Sequence, residues 1–265
     1  MTWIVVLILG LVLGSFFNVG IWRIPRGESI LFPHSHCPHC GKLIRFYDNI
    51  PILSYLLLRG RCRDCHKPIS LRYPLVELLS GGLFVFAYLR FGWDWLTLRA
   101  LIFISFLIIL SGIDIDHKIL PFPLSLTGLI LGLITAVLPS FHFGFIPALV
   151  GGVIGAGFVI FAWALWRFVL VRPFARIGVK KKEGMGWGDL PFAAMIGVFV
   201  GPKGMAVTLA TAVVIGVIVG LTGRLLGKTR PGTEVPFGPF LALGGLVGLF
   251  WGDWIFDLYL RLVIG

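Results

Sequence analysis

Long apolar segments constrain this chain more than any other feature of its sequence. Eight of them occur along the 265 residues, and most approach the roughly 20 residues that a helix needs to cross the hydrocarbon core of a bilayer. Charged residues make up only 13% of the chain, whereas a soluble domain carries about 25%. The sequence therefore predicts an all-α fold, a polytopic membrane helical bundle that has the lipid bilayer as its partner. The predicted spans are 3–22, 74–91, 97–113, 122–138, 146–170, 189–201, 205–223 and 237–260.

The Lys and Arg residues are distributed unevenly among the loops that join these segments. If the polar segment 23–73 faces the cytoplasm, alternation of the spans places almost all basic residues on that side. The exceptions are Arg90, Arg99, Lys203 and Arg261. Cytoplasmic loops of membrane proteins carry such an excess of positive charge. The pattern predicts both termini on the outside, and it accounts for the net charge of +11 without nucleic acid as a partner.

All four cysteines lie in the polar segment 23–73, where they form two Cys-x-x-Cys pairs. They are Cys37, Cys40, Cys62 and Cys65. Four thiolates at this spacing can close a tetrahedral zinc site, and a module of about 50 residues with little core of its own gains stability from such a metal. The alternatives are unligated thiols or disulfides, and a reducing cytoplasm disfavours disulfides. Four histidines lie nearby and could replace a ligand, but we expect them to be solvated or to support the ligands from outside: His34, His36, His39 and His66.

Acidic residues are scarce, and two groups of them lie at span ends on the same predicted membrane face. Asp114 and Asp116 end the third span, and Asp189 follows Gly186-x-Gly188 at the start of the sixth. Two carboxylates brought together there would share a proton. One could then activate a water molecule while the other, protonated, polarises a peptide carbonyl. This is the chemistry of an aspartic protease.

Two other interpretations of these aspartates stay open on the charge pattern alone. Asp189 could stabilise the first turn of a helix through the helix dipole, although the same dipole disfavours Asp114 at a helix C-terminus. A proton-coupled or metal-coupled transporter would also place carboxylates within its spans. Such a transporter is expected to have internal repeats, which the sequence does not show.

Further short motifs accompany the cysteines and the aspartates. They are 14–19 (GSFFNV), 23–29 (RIPRGES), 48–51 (DNIP), 59–62 (RGRC) and 68–77 (PISLRYPLVE). Together these motifs resemble the bacterial type IV prepilin peptidase family over nearly the whole chain. The family's first catalytic aspartate lies seven residues before a Leu-Pro proline, here Pro121, and this selects Asp114 over Asp116. Its second belongs to GxGD, hence Asp189. One departure is Phe122, where the family often has Asp or Asn, and this bears on how the fourth span begins.

The resemblance implies an intramembrane aspartyl protease of the GxGD type in the bacterial inner membrane. Such an enzyme cleaves the short basic leader from type IV prepilins and type II secretion pseudopilins at the cytoplasmic face. Most members with a long cysteine-bearing loop also methylate the new N-terminal residue with S-adenosylmethionine. The residues that would bind this methyl donor do not follow from the sequence, and neither does the oligomeric state.

The chain is thus expected to have three parts. These are a first transmembrane span at 1–22, a cytoplasmic zinc-binding module at 23–73, and a transmembrane catalytic bundle at 74–265. Glu77 lies near the start of the second span, where we expect it to reach the interface or a neighbouring helix rather than the substrate.

Overall fold

A computed structural model describes residues 1–32, 34–137, 144–170, 186–227 and 236–264. The helices are Thr2–Arg23 (α1), Leu53–Leu57 (α2), Arg72–Phe91 (α3), Trp95–His117 (α4), Phe122–Thr135 (α5), Phe145–Leu165 (α6), Asp189–Leu225 (α7) and Gly238–Ile264 (α8). Short helical turns at Ile24–Arg26, Phe46–Asn49 and Trp166–Leu170 accompany them. The described residues form no strand longer than an isolated bridge. The predicted all-α class is confirmed.

Six of these helices, α1, α3, α4, α6, α7 and α8, are long and apolar enough to cross a membrane. Helix α5 begins at Phe122 and has 14 residues, so it is shorter than the predicted span there. The predicted helical membrane bundle is therefore confirmed, while its count of eight spans holds only approximately. Much of the basic charge that supported the orientation falls at 171–185 and 228–235, outside the described residues.

Helix α7 contains the sixth and seventh predicted spans, and it breaks where they meet. Gly201 has a φ of 70°, which favours glycine, and Pro202 follows it. Gly155 of α6 lies against both the carbonyl of Ala193 and the side chain of Met205. In a straight helix those two residues would be about 18 Å apart. The chain therefore turns sharply at Gly201, between the two predicted spans.

The chain forms two compact units, Met1–Ile109 and Leu110–Gly265. In the first unit, α1 and α3 pack antiparallel with their backbones in contact. A Cβ at Gly10 would come within 2.7 Å of the Cα of Gly81, and a Cβ at Gly14 within 2.8 Å of the Cα of Glu77. Small residues permit this close approach in membranes. The chain consequently leaves α1 and enters α3 at the same end of the helix pair.

In the second unit, the first part of α7 is the central element. Every residue of the segment 191–201 is buried, as expected for a helix with neighbours on all sides. Helices α5, α6 and α8 all contact α7. Glycines make these contacts close: Gly151 of α6 lies against the backbone of Gly197, and Gly248 of α8 lies against that of Gly204. This packing places Asp189 at the start of the central helix.

Candidate active site and cysteine cluster

Asp189 is the first residue of α7, and its carboxylate folds back on the turn that precedes the helix. Its Oδ2 atom accepts a hydrogen bond of 2.8 Å from the backbone amide of Gly186. The backbone amide of Asp189 donates in return to the Gly186 carbonyl, at 3.0 Å. The residue is only 9% exposed. The GxGD motif is thus a tight turn that holds a buried carboxylate.

Gly188 brings this turn against the connection between α4 and α5. A Cβ at Gly188 would lie 2.5 Å from the carbonyl oxygen of Leu120 and 3.0 Å from its Cβ. A side chain at position 188 would collide with backbone, so the contact requires glycine. Because Leu120 closely follows the end of α4, the contact joins the GxGD turn to the region of the first aspartate motif.

Asp114 lies in the last turns of α4 and is 5% exposed. Its Oδ2 atom accepts a hydrogen bond of 2.9 Å from the backbone amide of Gly238, the first residue of α8. The first amides of a helix have no acceptor within the helix, and their positive partial charge favours an anion. An aspartate at the C-terminal end of one helix is therefore stabilised by the N-terminus of another.

The two aspartates selected from the sequence lie near each other. Asp189 is close enough to Asp114 for the charges of the two carboxylates to interact. Asp116 is exposed. Two residues along a helix turn a side chain by about 200°, so Asp116 points away from the side that carries Asp114. The geometry thus distinguishes Asp114 from Asp116 independently of the family spacing. The catalytic role of Asp114 and Asp189 stays a prediction.

Gly238 was not among the site residues predicted from the sequence. This residue lies in Pro236-Phe237-Gly238-Pro239, and a proline near the start of a helix is a common signal for its N-terminus. The signal could have located the start of α8. It could not have joined Gly238 to Asp114, because the two are 124 positions apart in the chain.

Replacing Gly238 with alanine is expected to displace the Asp114 carboxylate. The added Cβ would lie 2.6 Å from Oδ2 of Asp114, so the carboxylate or the start of α8 must move. A misplacement of about 1 Å in an active site can lower a rate by a factor of about 10². We expect a loss of that order in the peptide cleavage proposed below, measured by mass spectrometry. Gly157→Ala in α6 is the matched control, since no atom of the described residues lies within 4 Å of its added Cβ. Equal rates for the two variants would contradict this role of Gly238.

The two Cys-x-x-Cys segments form the same structure twice. In the first, the amide of Cys37 donates to the Lys42 carbonyl at 2.9 Å. In the second, the amide of Cys62 donates to the Lys67 carbonyl at 2.9 Å. A residue with positive φ precedes each of these lysines, Gly41 in the first segment and His66 in the second. The chain thus turns two pairs of sulfur atoms toward a common point by one repeated turn.

The four sulfur atoms lie within 4.8 Å of one another. Ligands about 2.3 Å from a tetrahedral zinc ion would be about 3.8 Å apart, and the Sγ atoms of Cys37 and Cys65 are separated by 3.8 Å. All four are free thiols, so no disulfide joins them. Backbone amides of Cys65 and Asp64 lower the pKa of the Cys62 thiol to about 7, whereas burial and the neighbouring thiols raise the pKa of Cys65 to about 11, so Cys62 is the first of the two to form the thiolate that a metal requires. The cluster fits a zinc site.

Histidine takes no part in this cluster, which consists of cysteines alone among the described residues. All four histidines of the module are exposed. The second cysteine pair is tied to the short helix at 46–49 by a bidentate ion pair, in which Arg63 donates to Asp48 at 2.8 and 2.6 Å. This arginine is the main cause of the lowered pKa of Asp48.

The fold and the site together define a multi-pass helical membrane protein with two buried aspartates at helix ends and a four-cysteine cluster. Residues 8–91 match the bacterial peptidase A24 N-terminal domain, and residues 101–221 match the type IV leader peptidase family. A protein from Stutzerimonas stutzeri, named prepilin leader peptidase/N-methyltransferase, is 37% identical over 96% of this chain and 92% of its own length. The chain belongs to the type IV leader peptidase family, and the resemblance inferred from the motifs is confirmed.

Proteins of the same name in other bacteria are similarly close. Those of Pseudomonas aeruginosa and Xanthomonas campestris are 36% and 35% identical, each over 96% of this chain and 92% of its own length. No solved structure matches the chain.

Proposed function

We propose that this chain cleaves the leader peptide from type IV prepilins and type II secretion pseudopilins and then methylates the newly exposed N-terminus. The proposal rests on one observation above all. Two aspartates in a chain of this family are buried together, and each is held by a backbone amide. The names of the relatives, which cover nearly the whole chain, support both the cleavage and the methylation.

Asp114 and Asp189 carry out the cleavage as an aspartic pair that shares one proton. The ionised carboxylate takes a proton from a water molecule, whose oxygen attacks the carbonyl carbon of the scissile peptide bond. The protonated carboxylate donates a hydrogen bond to the carbonyl oxygen. Collapse of the tetrahedral intermediate breaks the C–N bond, and a proton passes from the pair to the leaving amine. The amides of Gly238 and Gly186 keep the two carboxylates in position.

The amine released by cleavage is the methyl acceptor. S-adenosylmethionine supplies the methyl group when it is bound, and no residue of this chain is assigned to it. Cys37, Cys40, Cys62 and Cys65 would hold a structural zinc ion. Four thiolates leave it no open coordination position, so the metal takes no part in the chemistry.

We also propose where the protein is located in the cell and how its chain divides into three parts. The protein lies in the inner membrane with its active site and cysteine cluster toward the cytoplasm, where the basic leader of the substrate remains. A first span at 1–22 and a zinc-binding module at 23–73 precede a catalytic bundle at 74–265. Six apolar helices of membrane-spanning length support the multi-pass location, and the distribution of basic residues supports the orientation.

A proton-coupled or metal-coupled transporter was the alternative from another class. The matched family is one of leader peptidases, and its close relatives carry the name of a peptidase and methyltransferase. Nothing in the described structure favours transport, so we propose no second function.

A cleavage assay tests the proposal directly. The purified protein in lipid nanodiscs is mixed with a synthetic peptide that carries a short basic leader followed by an apolar prepilin-type helix. We expect mass spectrometry to show the free leader and the shortened peptide. With S-adenosylmethionine present, the shortened peptide should gain the mass of one methyl group at its N-terminus. An intact peptide after prolonged incubation would contradict the proposed peptidase.

A further inference from the structure

The short helix α2 presents an apolar face away from the rest of the protein. Leu53, Leu56 and Leu57 are 57%, 63% and 80% exposed, and their spacing puts them on one side of the helix. Ser54 lies beside this face, where it is buried and donates a hydrogen bond of 3.0 Å to the carbonyl of Tyr47. The three leucines form what we call the leucine face. A contiguous exposed apolar surface of this kind usually marks an interaction site.

The chain just before the leucine face is attached to a membrane helix. The amide of Ile52 donates a hydrogen bond of 2.8 Å to Oε2 of Glu77, which is buried between α1 and α3. Ile52 has a φ of 61°, which is rare for a β-branched residue and persists only where surrounding contacts impose it. The hydrogen bond between Ile52 and Glu77 therefore fixes the position of the leucine face relative to α3.

The level of this attachment along α1 and α3 follows from the contacts around it. Helical side chains point toward the N-terminus of their helix, so Glu77 reaches Ile52 near the first turn of α3. At that level, the side-chain amide of Asn18 in α1 donates to the carbonyl of Tyr73 at 3.1 Å. Trp22 is four residues further along α1, about 6 Å toward the end of the helix. Measured along α1, the loop that carries Ile52 thus lies about one helical turn closer to the middle of the helix than Trp22.

Trp22 is expected at the boundary of the bilayer on this side. The guanidinium of Arg26 lies 3.6 Å from the centre of the Trp22 ring, and tryptophan with arginine is typical of membrane interfaces. Exposed leucines continue on α3 at the same end: Leu75, Leu78 and Leu79. In a helix of membrane-spanning length these side chains are expected to face lipid, so the leucine face lies close to an expected lipid surface.

The residues that follow α2 complement a lipid surface in charge. Arg59 and Arg61 are both exposed. Basic residues next to an apolar helix face favour binding to anionic headgroups, with the apolar side chains about 5–10 Å into the interface. A soluble protein partner would not require the attachment of Ile52 to a membrane helix.

We propose that Leu53, Leu56 and Leu57 insert into the bilayer interface, with Arg59 and Arg61 on anionic headgroups, and that Glu77 holds this segment at membrane depth through the Ile52 amide. The segment around α2 is then part of the membrane-embedded protein rather than of a freely exposed module. Glu77 is a positioning residue in this arrangement. The inference is independent of the proposed catalytic function.

Photocrosslinking to lipid tests the proposal in the full-length protein. The probe is p-benzoylphenylalanine in place of Leu57, in nanodiscs that contain phosphatidylglycerol. Matched positions are Leu78, which faces lipid on α3, and Lys42, which is exposed and paired with Asp64 at 3.1 Å beside the cysteine cluster. After irradiation, mass spectrometry should find lipid adducts at position 57 in a yield similar to position 78 and several-fold above position 42.

Two results would overturn the insertion. One is a yield at position 57 no higher than at position 42, and the other is crosslinking of position 57 to a second copy of the chain instead of lipid. Unchanged zinc content in each variant shows that the module is folded. Adding Glu77→Ala is expected to lower the lipid adducts at position 57 several-fold and leave those at position 78 unchanged. Equal adducts with and without Glu77 would contradict its positioning role.

Discussion

Asp114→Asn and Asp189→Asn are each expected to lower prepilin cleavage by a factor of at least about 10³. General acid–base groups contribute about 10² to 10⁴ to a rate, and both halves of this mechanism need a carboxyl group. An asparagine keeps the shape and can still accept the hydrogen bond from Gly238 or Gly186. It cannot take a proton from water or share one with its partner. The rate is measured on the synthetic prepilin peptide by mass spectrometry.

Asp116→Asn is the matched control for this pair. Asp116 is exposed, lies two residues from Asp114 in the same helix, and carries the same charge. We expect its cleavage rate to stay within a few-fold of the unchanged protein, with circular dichroism identical for all three variants. Near-normal cleavage by either Asp114→Asn or Asp189→Asn would refute the catalytic assignment. A loss in Asp116→Asn equal to the others would show that charge at the end of α4 matters rather than the pair.

Changing all four cysteines to serine is expected to remove the metal and unfold the module that they close. Structural zinc sites in small domains have apparent binding free energies of about 10–16 kcal/mol, so the folded module depends on the ion. Serine is a poor zinc ligand at neutral pH because its hydroxyl stays protonated. Elemental analysis should show a zinc ion in the unchanged protein and none in the variant. Limited proteolysis should then cut within 35–69, where both repeated turns lie.

His34→Ala and His39→Ala serve as controls for the metal site. Both histidines are exposed and stand outside the four-sulfur cluster, so zinc content and protease resistance should be unchanged. Zinc retained by the four-serine variant would rule out the cysteines as its ligands. Zinc lost on changing either histidine would show that a nitrogen has replaced one of the sulfur ligands.

The predictions from sequence that succeeded all concern features contained in short stretches of chain. A membrane helix satisfies its own backbone hydrogen bonds, so its place can be recognised without knowledge of its neighbours. The Cys-x-x-Cys pairs can likewise be recognised from the local sequence, since each pair forms its own turn. The span count holds only approximately where this independence ends. Helix α5 is shorter than its apolar segment, and the sixth and seventh predicted spans follow each other directly across the sharp turn at Gly201, where both parts of α7 pack against α6.

The contacts that make the candidate site join residues far apart in the chain. The sequence alone placed Asp114 and Asp189 at helix ends on one predicted face, and the spacing to Pro121 selected Asp114. It contained no sign that the first amide of α8 would bind Asp114, or that Leu120 would require glycine at position 188. Likewise, Glu77 could be recognised as an unusual carboxylate in a span, but its partner Ile52 belongs to a loop 25 positions earlier.

Apolar length, charge asymmetry and the cysteine and GxGD motifs were therefore sufficient for the membrane class, the family and the candidate residues, because each is a local property of the chain. The position of each carboxylate required the folded protein. A buried carboxylate needs a donor, and in a helical bundle the available backbone donors are the amides of helix ends and turns. Which backbone amide donates a hydrogen bond to Asp114, Asp189 or Glu77 depends on how the glycine-lined helices pack. That packing is a property of the whole bundle.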